Sequence, residues 1–230
     1  MKLRALAFIL ILTCTALGSF YLTRYKSASA DDTPSIGLYL PIIVTNPCSP
    51  FFDSFDDPAT EWFTGTAGAL RAEVTGGEYK LGLSGGGSVG LVPGPMCALS
   101  SYQVAVDARW AGQPGNFIGL LVELDEANRT AYLFAVNTDS QVWIVFKVRG
   151  DSLDTVIDPI KNDAVLPGGS VNRLTVESRD TTLYFSVNDT PVGELRSGAS
   201  GMPVLAGVAA ASYTTQSAVD ARFDNFHWQD

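Results

Sequence analysis

A two-residue alternation of apolar and polar side chains recurs along most of the chain after Phe51. In residues 102–110 the apolar side chains fall on one parity and most of the polar ones on the other. Residues 171–178 and 183–187 repeat the pattern. Because successive side chains of a β-strand point to opposite sides, this period predicts strands with one buried and one solvated face.

Three further segments are apolar on both parities: residues 117–124, 132–136 and 142–148. They predict central strands that are covered on both faces or line a groove. Clusters of glycine, asparagine and aspartate separate the segments, and nothing after Phe51 shows a sustained helical period. Many short strands joined by such turns predict an all-β sandwich or barrel.

The predicted last strand changes parity near its end. Phe223 and the apolar residues before it share one face, whereas Phe226 and Trp228 fall on the other. Asp224 and Asn225 lie at the break. A β-bulge there would return both aromatic rings to the core side, so the sequence predicts a bulge at this point.

Residues 1–30 have the order of an export signal. Two basic residues precede an apolar run, residues 5–22, and residues 28–30 form a small-x-small cleavage site. Arg24 and Lys26 lie between the run and this site, and the run is nearly long enough to span a bilayer. The segment is therefore a cleaved signal peptide or a retained membrane anchor. Either alternative predicts a secreted or cell-surface protein.

The remainder divides into a connector, residues 31–50, and a sandwich domain, residues 51–230. The apolar part of the connector, residues 36–44, predicts an edge strand or an extended arm. Cys48 and Cys97 are the two cysteines left after the export segment. In an oxidising compartment two cysteines most simply pair, so we expect a disulfide between them.

The charge of the body limits its partners. The formal net charge is −9, and residues 1–30 contain four basic residues and no acid, so the rest of the chain carries −13. Nucleic acid requires a basic footprint, which argues against nucleic acid as a partner. It also argues against anionic lipid surfaces. Membrane contact is expected only through the N-terminal segment, if that segment stays uncleaved.

Several segments, taken in order, resemble the strands of concanavalin A-like (laminin-G-like) jelly-roll domains. They are Phe51 to Phe55 followed by Trp62, then residues 119–122, 132–136, 142–147, 172–176, 183–188 and 222–226. The chain is similar in particular to exported bacterial domains of the 3-keto-disaccharide hydrolase type, over about residues 51–228. This resemblance implies an antiparallel two-sheet jelly-roll sandwich. The family includes sugar-binding, glycosidase, adhesion and structural proteins, so the fold does not choose among them.

Trp143 and Tyr184 are the candidate ligand-binding residues. Each lies on the parity opposite to the apolar residues of its strand, which predicts outward-facing rings. An exposed aromatic ring with polar neighbours can stack on a sugar. The alternative is packing against another sheet, a loop or the N-terminal arm. The leading hypothesis is a non-catalytic binding or adhesion module with carbohydrate or a cell-surface polymer as the candidate partner.

Glu123 and Asp125 are the candidate catalytic pair of a second hypothesis, a glycoside hydrolase. Laminarinase-type glycosidases of the resembling fold carry acids at alternate strand positions, and Glu123 and Asp125 share parity. Glu126 does not fit that spacing and no third acid follows, so residues 125–128 fit a hairpin turn better. A retaining pair must also lie about 5 Å apart. A third hypothesis is a structural envelope protein without a ligand.

Asp53 and Asp224 are the candidate metal ligands. They lie in the predicted first and last strands, which are neighbours in the resembling fold. Converging carboxylates and carbonyls can hold Ca²⁺ through oxygen ligands. Solvated acids in an acidic protein are the alternative, and no other cofactor is expected.

Overall fold

The computed structural model describes residues 38–39, 50–59, 61–84, 87–95, 101–112, 116–197, 204–212 and 219–229. Within these ranges every helix or strand element is a β-strand, as the two-residue period predicts. The described part of the chain contains no helix long and apolar enough to cross a membrane. The export segment, Cys48 and Cys97 lie outside the described residues, so the signal or anchor and the disulfide stay predictions.

One sheet has seven strands. In spatial order they are β1 (Leu38–Tyr39), β6 (Val89–Pro93), β15 (Leu205–Ala211), β8 (Phe117–Asp125), β9 (Thr130–Asn137), β10 (Val142–Arg149) and β11 (Ser152–Lys161). The β1–β6 pair is parallel and all the other pairs are antiparallel. Leu38 and Tyr39 thus form an edge strand, one of the two alternatives for the connector.

The other sheet has nine strands. They are β14 (Thr190–Arg196), β13 (Thr182–Val187), β12 (Asn172–Arg179), β7 (Tyr102–Trp110), β16 (Val219–Gln229), β5 (Glu78–Leu83), β4 (Leu70–Thr75) and β3 (Gly65–Ala67), with β2 (Phe51–Asp53) beside the C-terminal part of β16. The two sheets stack face to face, which confirms the predicted antiparallel sandwich.

The layer between the sheets is rich in aromatic side chains. Phe226 and Trp228 are fully buried in it, although their parity differs from that of Phe223. The pairing of β16 with β7 shifts register between Asp224 and His227, and Asn225 has a left-handed backbone with φ of 49°. The predicted β-bulge is therefore present and turns both rings inward.

The outward face of the seven-stranded sheet is apolar, and we call it the apolar outer face. Its thirteen buried residues are at most 7% exposed. They are Val89, Leu91, Phe117, Leu121, Leu124, Ala131, Leu133, Ala135, Ile144, Phe146, Val148, Ala209 and Ala211. The three segments that are apolar on both parities form the adjacent strands β8, β9 and β10, which confirms the prediction of central strands buried on both sides.

The outward face of the nine-stranded sheet is polar, and we call it the polar outer face. Alternate residues of β12, β7, β16 and β5 place charged and amide side chains there, all of them partly exposed. Examples are Glu177, Asp107, Arg222 and Lys80. Here the alternation of the sequence matches one buried and one solvated face.

Candidate functional site

One half of the polar outer face, over β4, β5 and β16, is occupied by ion pairs. Glu78 accepts from Arg109 Nε at 2.5 Å, and Arg222 Nη1 lies 3.4 Å from its second oxygen. Arg222 also pairs with Asp220 at 2.7 Å, and Lys80 lies 3.3 Å from the same carboxylate. The hydrogen bond from Arg109 is the main cause that lowers the pKa of Glu78. These charges satisfy one another and leave few groups for a ligand.

The other half of the polar outer face carries an exposed ring beside planar polar groups. Tyr184 on β13 is 40% exposed. In register with it across three strands lie Glu177, Gln103 and Gln229. Gln229 Nε2 donates to Gln103 Oε1 at 2.9 Å, and the guanidinium of Arg179 stands 5.8 Å from the Tyr184 ring centre. The predicted outward position of Tyr184 agrees with this geometry.

A parallel row of smaller side chains ends at a second exposed ring. Thr175, Ala105 and His227 lie opposite one another on β12, β7 and β16, and Phe52 on β2 lies opposite His227. Phe52 is 61% exposed, with its ring centre 6.3 Å from that of His227. Four strand spacings, about 19 Å, separate β13 from β2. We call these two rows, from Tyr184 to Phe52, the Tyr184–Phe52 strip.

Trp143 is not on the surface, and its predicted outward position is wrong. The side chain is 2% exposed and lies between the sheets, 6.2 Å from the ring centres of both Phe134 and Phe185. A Cβ added at Gly193 would stand 2.4 Å from the indole, so the ring needs a glycine on β14 to fit. Both parities of β10 are apolar, and the parity of Trp143 is the one that meets the second sheet.

Glu123 is a buried acid at an irregularity of β8. The β8–β9 register shifts between Val122 and Asp125, and Glu123 has φ of 50°. The side chain is 6% exposed. Its Oε1 accepts from Ser197 Oγ at 2.6 Å, whereas Oε2 is buried and accepts no hydrogen bond from any described residue. Burial raises the pKa of Glu123, against the hydrogen bond of Ser197 and the charge of Lys147.

A cavity of about 360 Å³ lies beside this acid. Lys147 and Tyr132 also line it, and Lys147 Nζ donates to the Tyr132 hydroxyl at 3.0 Å. Asp125 is at the rim, where it accepts from the Asn128 backbone N–H at 3.0 Å and from Nδ2 at 2.6 Å. The Asn128 side chain is the main cause that lowers the pKa of Asp125. Residues 125–128 thus form the predicted hairpin turn.

The cavity brings both candidate catalytic carboxyls together but gives them unequal access. Opposite pKa shifts in two neighbouring acids are typical of hydrolase sites. A general acid must, however, touch its substrate. The unpartnered oxygen of Glu123 is buried, and Asp125 already holds the turn.

Asp53 and Asp224 lie on paired strands, as the resemblance implies. Asp53 is opposite Phe226, two positions after Asp224. Partial burial, then the charges of Asp107 and Asp56, raise the pKa of Asp224. The described residues contain no group of three or more histidine, cysteine, aspartate or glutamate side chains placed to hold a metal ion. Calcium binding by Asp53 and Asp224 stays a prediction.

Sequence reasoning missed Phe52 and the Gln103–Gln229 pair. The signal for Phe52 is its parity, because its neighbour Phe51 packs inward against Phe226 at 6.2 Å. The glutamine pair could not be found in this way, since its members are 126 positions apart and meet only through the register of β7 and β16.

No protein-family model matches the chain, and no curated protein matches it. Several solved structures, however, are similar to it. The carbohydrate-binding module CBM66 of Bacillus subtilis is 14% identical, with a TM-score of 0.50 over 82% of this chain and all of the module. A Bacillus licheniformis β-glucanase is 10% identical, with a TM-score of 0.58 over 80% of this chain and all of the enzyme.

A Bacillus subtilis protein of unknown function with a galectin-like fold is 14% identical, with a TM-score of 0.51 over 82% of this chain and 98% of that protein. Identities this low show the fold alone. The chain has the jelly-roll sandwich of concanavalin A-like and galectin-like domains, which occurs in both carbohydrate-binding modules and glycoside hydrolases. This confirms the fold that the resemblance implied.

Proposed function

We propose that the chain is an exported, non-catalytic carbohydrate-binding module and that the Tyr184–Phe52 strip is its ligand surface. The observation that carries the proposal is the exposed Tyr184 ring in register with Glu177, Gln103 and Gln229. A sugar presents C–H faces that stack on an aromatic ring and hydroxyls that bond planar polar side chains. The strip supplies both within one row.

The apolar outer face is unsuited to a sugar, which supports the choice of the Tyr184–Phe52 strip as the ligand surface. Its thirteen buried residues carry no polar side chain and are closed to water, so they offer a sugar no hydrogen bond. The separation of β13 from β2 exceeds a single sugar ring, which favours an oligosaccharide or polysaccharide over a monosaccharide. The structural similarity to the carbohydrate-binding module CBM66 of Bacillus subtilis agrees with this function.

The test compares the polysaccharide binding of the wild type with that of Tyr184→Ala and Phe52→Ala, using a glycan array and titration calorimetry on the positive glycans. We expect Tyr184→Ala to weaken binding by about tenfold, the equivalent of about 1.4 kcal/mol for a stacked ring. Val171→Ala is the matched control, because Val171 is 50% exposed and lies outside the strip. Absence of any glycan ligand, or unchanged affinity in Tyr184→Ala, contradicts the proposal.

A glycoside hydrolase is the second candidate, and the opposite pKa shifts of Glu123 and Asp125 favour it. Reducing-end release from soluble β-glucan separates the two functions. The binding module predicts no turnover by the wild type. Turnover that is lost in Glu123→Gln and kept in Tyr184→Ala supports the hydrolase instead.

Export is part of the proposal. The Cys48–Cys97 disulfide is its chemical signature, because such bonds persist in oxidising compartments. Non-reducing peptide mapping of the chain recovered from the medium or the cell surface should show the two cysteine peptides joined. Free thiols in a chain recovered from the cytosol contradict export.

A further inference from the structure

The cavity of about 360 Å³ beside the turn of residues 125–128 is lined by residues of both sheets. Glu123, Tyr132 and Lys147 line it from β8, β9 and β10 of the seven-stranded sheet. Ser197, which directly follows β14, lines it from the side of the nine-stranded sheet. No residue of the Tyr184–Phe52 strip is among the described residues of its wall. The cavity is therefore a separate candidate site, with a volume near the lower end of the range of small-molecule pockets, about 300–1,000 Å³.

Lys147 is a partly buried cation that no described carboxylate pairs with. Eight of the eleven lysines and arginines that the structure describes form ion pairs. The other three are Lys147, Lys161 and Arg196, and of these only Lys147 is partly buried. Its Nζ donates to the Tyr132 hydroxyl at 3.0 Å and lies 4.8 Å from the centre of that ring. Two of its three N–H groups are then left for an acceptor that enters the cavity.

The charges around the cavity favour a neutral ligand. Glu123 is 6% exposed and forms no ion pair within the described part of the chain. The carboxylate of Asp125, at the rim, is already bonded by Asn128. The inner wall thus carries one group of each sign, Glu123 and Lys147, which do not neutralise each other in an ion pair. A ligand of either charge is repelled by one of them, whereas a neutral ligand with hydroxyl groups meets no such repulsion.

The other groups of the wall suit a sugar. Asn128 and Thr130 contribute an amide and a hydroxyl, and Ala127 and Val204 contribute apolar contacts. Every sugar hydroxyl both donates and accepts. One sugar ring can therefore accept from Lys147, bond the amide or the hydroxyl, and lay its C–H groups against the apolar side chains.

We propose that this cavity binds a single neutral sugar residue, the end or a side branch of a glycan, through a charge-assisted hydrogen bond from Lys147 to a ring hydroxyl. The site rests on the proposed function only in that its ligand is a glycan. A glycan is then held at two places, along the Tyr184–Phe52 strip and by one residue in the cavity. Each site can be tested without the other, because they share no described residue.

Saturation-transfer NMR on the full-length chain tests the cavity with a panel of neutral mono- and disaccharides, uronic acids, amino sugars and free amino acids. We expect at least one neutral saccharide to bind. Lys147→Gln should weaken this binding by at least about tenfold, the effect of one hydrogen bond to a charged group. Lys161→Gln is the matched control, because Lys161 is an exposed lysine outside the cavity, and its affinity should equal that of the wild type.

Reductive methylation of the wild type gives a second readout that does not depend on a variant. At a saccharide concentration about ten times the dissociation constant, methylation of Lys147 should slow by about tenfold, because only the free protein reacts. Methylation of Lys161 should keep its rate. Tyr184→Ala separates the cavity from the strip, since it should lower polysaccharide affinity and leave the affinity for the small saccharide unchanged.

Three results overturn the proposal: no neutral saccharide binds, Lys147 reacts equally fast with and without the bound saccharide, or Lys147→Gln binds as the wild type does. Protection of Lys147 only by acidic sugars, amino sugars or amino acids overturns it as well. In each case the strip proposal still stands if Tyr184→Ala weakens polysaccharide binding. Protection of Lys147 by a neutral saccharide, with unchanged polysaccharide affinity in Tyr184→Ala, supports the cavity and contradicts the strip.

Discussion

The two outer faces of the sandwich are formed by strands with different patterns of apolar and polar residues. Strands β12, β7 and β16 alternate, and their outward parity carries groups such as Arg173, Asp107 and Gln229. Strands β8, β9 and β10 are apolar on both parities, and both of their faces are dry. Two stacked sheets need only one dry face each. The seven-stranded sheet therefore carries a second apolar face beyond the one that the sandwich requires.

The two outer faces also differ in how much they contribute to the stability of the fold. Burial of apolar area contributes about 25 cal/mol per Å², so the apolar outer face adds to the stability of the fold. The ion pairs of the polar outer face are partly exposed, and such pairs contribute about 0–1 kcal/mol each. Substitution on the polar face is therefore cheap, which leaves it free to carry a ligand site.

A charge placed on each face gives the largest expected contrast. Leu121→Asp would bury an unpaired carboxylate among apolar side chains, and we expect a loss on the order of 5 kcal/mol in the free energy of unfolding, or no folded protein. Thr175→Asp on the polar outer face should cost within about 0.5 kcal/mol. Urea denaturation measures both. Equal, small losses would show that water reaches Leu121 and would end the comparison.

The two aromatic residues that shared one sequence pattern give the next contrast. Trp143→Ala should lower the free energy of unfolding by about 4 kcal/mol, because it empties a site between Phe134, Phe185 and Gly193. Tyr184→Ala should change it by no more than about 0.5 kcal/mol and affect glycan binding instead. Thermal or urea unfolding decides. A stable Trp143→Ala protein would contradict the buried position of the indole.

Trp143 and Tyr184 show which features of the structure can be predicted from the sequence and which cannot. Parity predicted the strands and the bulge near Asn225, and turn-forming residues predicted the hairpin turn at residues 125–128, because each is a local event. Parity also separated Trp143 from its neighbours on β10. It could not say which parity meets the second sheet, because both sides of that strand are apolar. That choice depends on sheet stacking, which no local pattern contains.

The candidate site was predicted only in part for the same reason. Tyr184 stands out because its strand alternates cleanly. The partners of the site depend on long-range register. Ser197 reaches Glu123 from 74 positions away, and Phe52 meets His227 only because β2 pairs with β16. Neither contact can be predicted from the spacing of residues along the chain.

The buried acid Glu123 predicts a pH effect that the polar outer face lacks. Burial raises its folded pKa above the unfolded value of 4.5, so the native state binds more protons in the interval between the two. The free energy of unfolding therefore falls as pH rises through that interval. Glu123→Gln removes this loss. The variant should match the wild type near pH 4 and exceed its melting temperature at pH 7.

The control is Glu61→Gln, which removes one charge at an exposed position. Its melting curves should follow those of the wild type at every pH. If Glu123→Gln is instead less stable than the wild type at pH 7, attraction between the ionised carboxylate and Lys147 outweighs the cost of burial. The predicted fall in the free energy of unfolding with rising pH is then wrong.

The smallest expected effect lies in the ion pairs of the polar outer face. Glu78→Gln leaves Arg109 and Arg222 without their shared carboxylate and should cost about 1 kcal/mol at low salt. At 1 M salt the screening length falls to about 3 Å, so the cost should shrink towards zero. The loss from Leu121→Asp should persist, because a dry apolar layer admits no counter-ions. Equal salt sensitivity of the two variants would contradict the difference between the two outer faces.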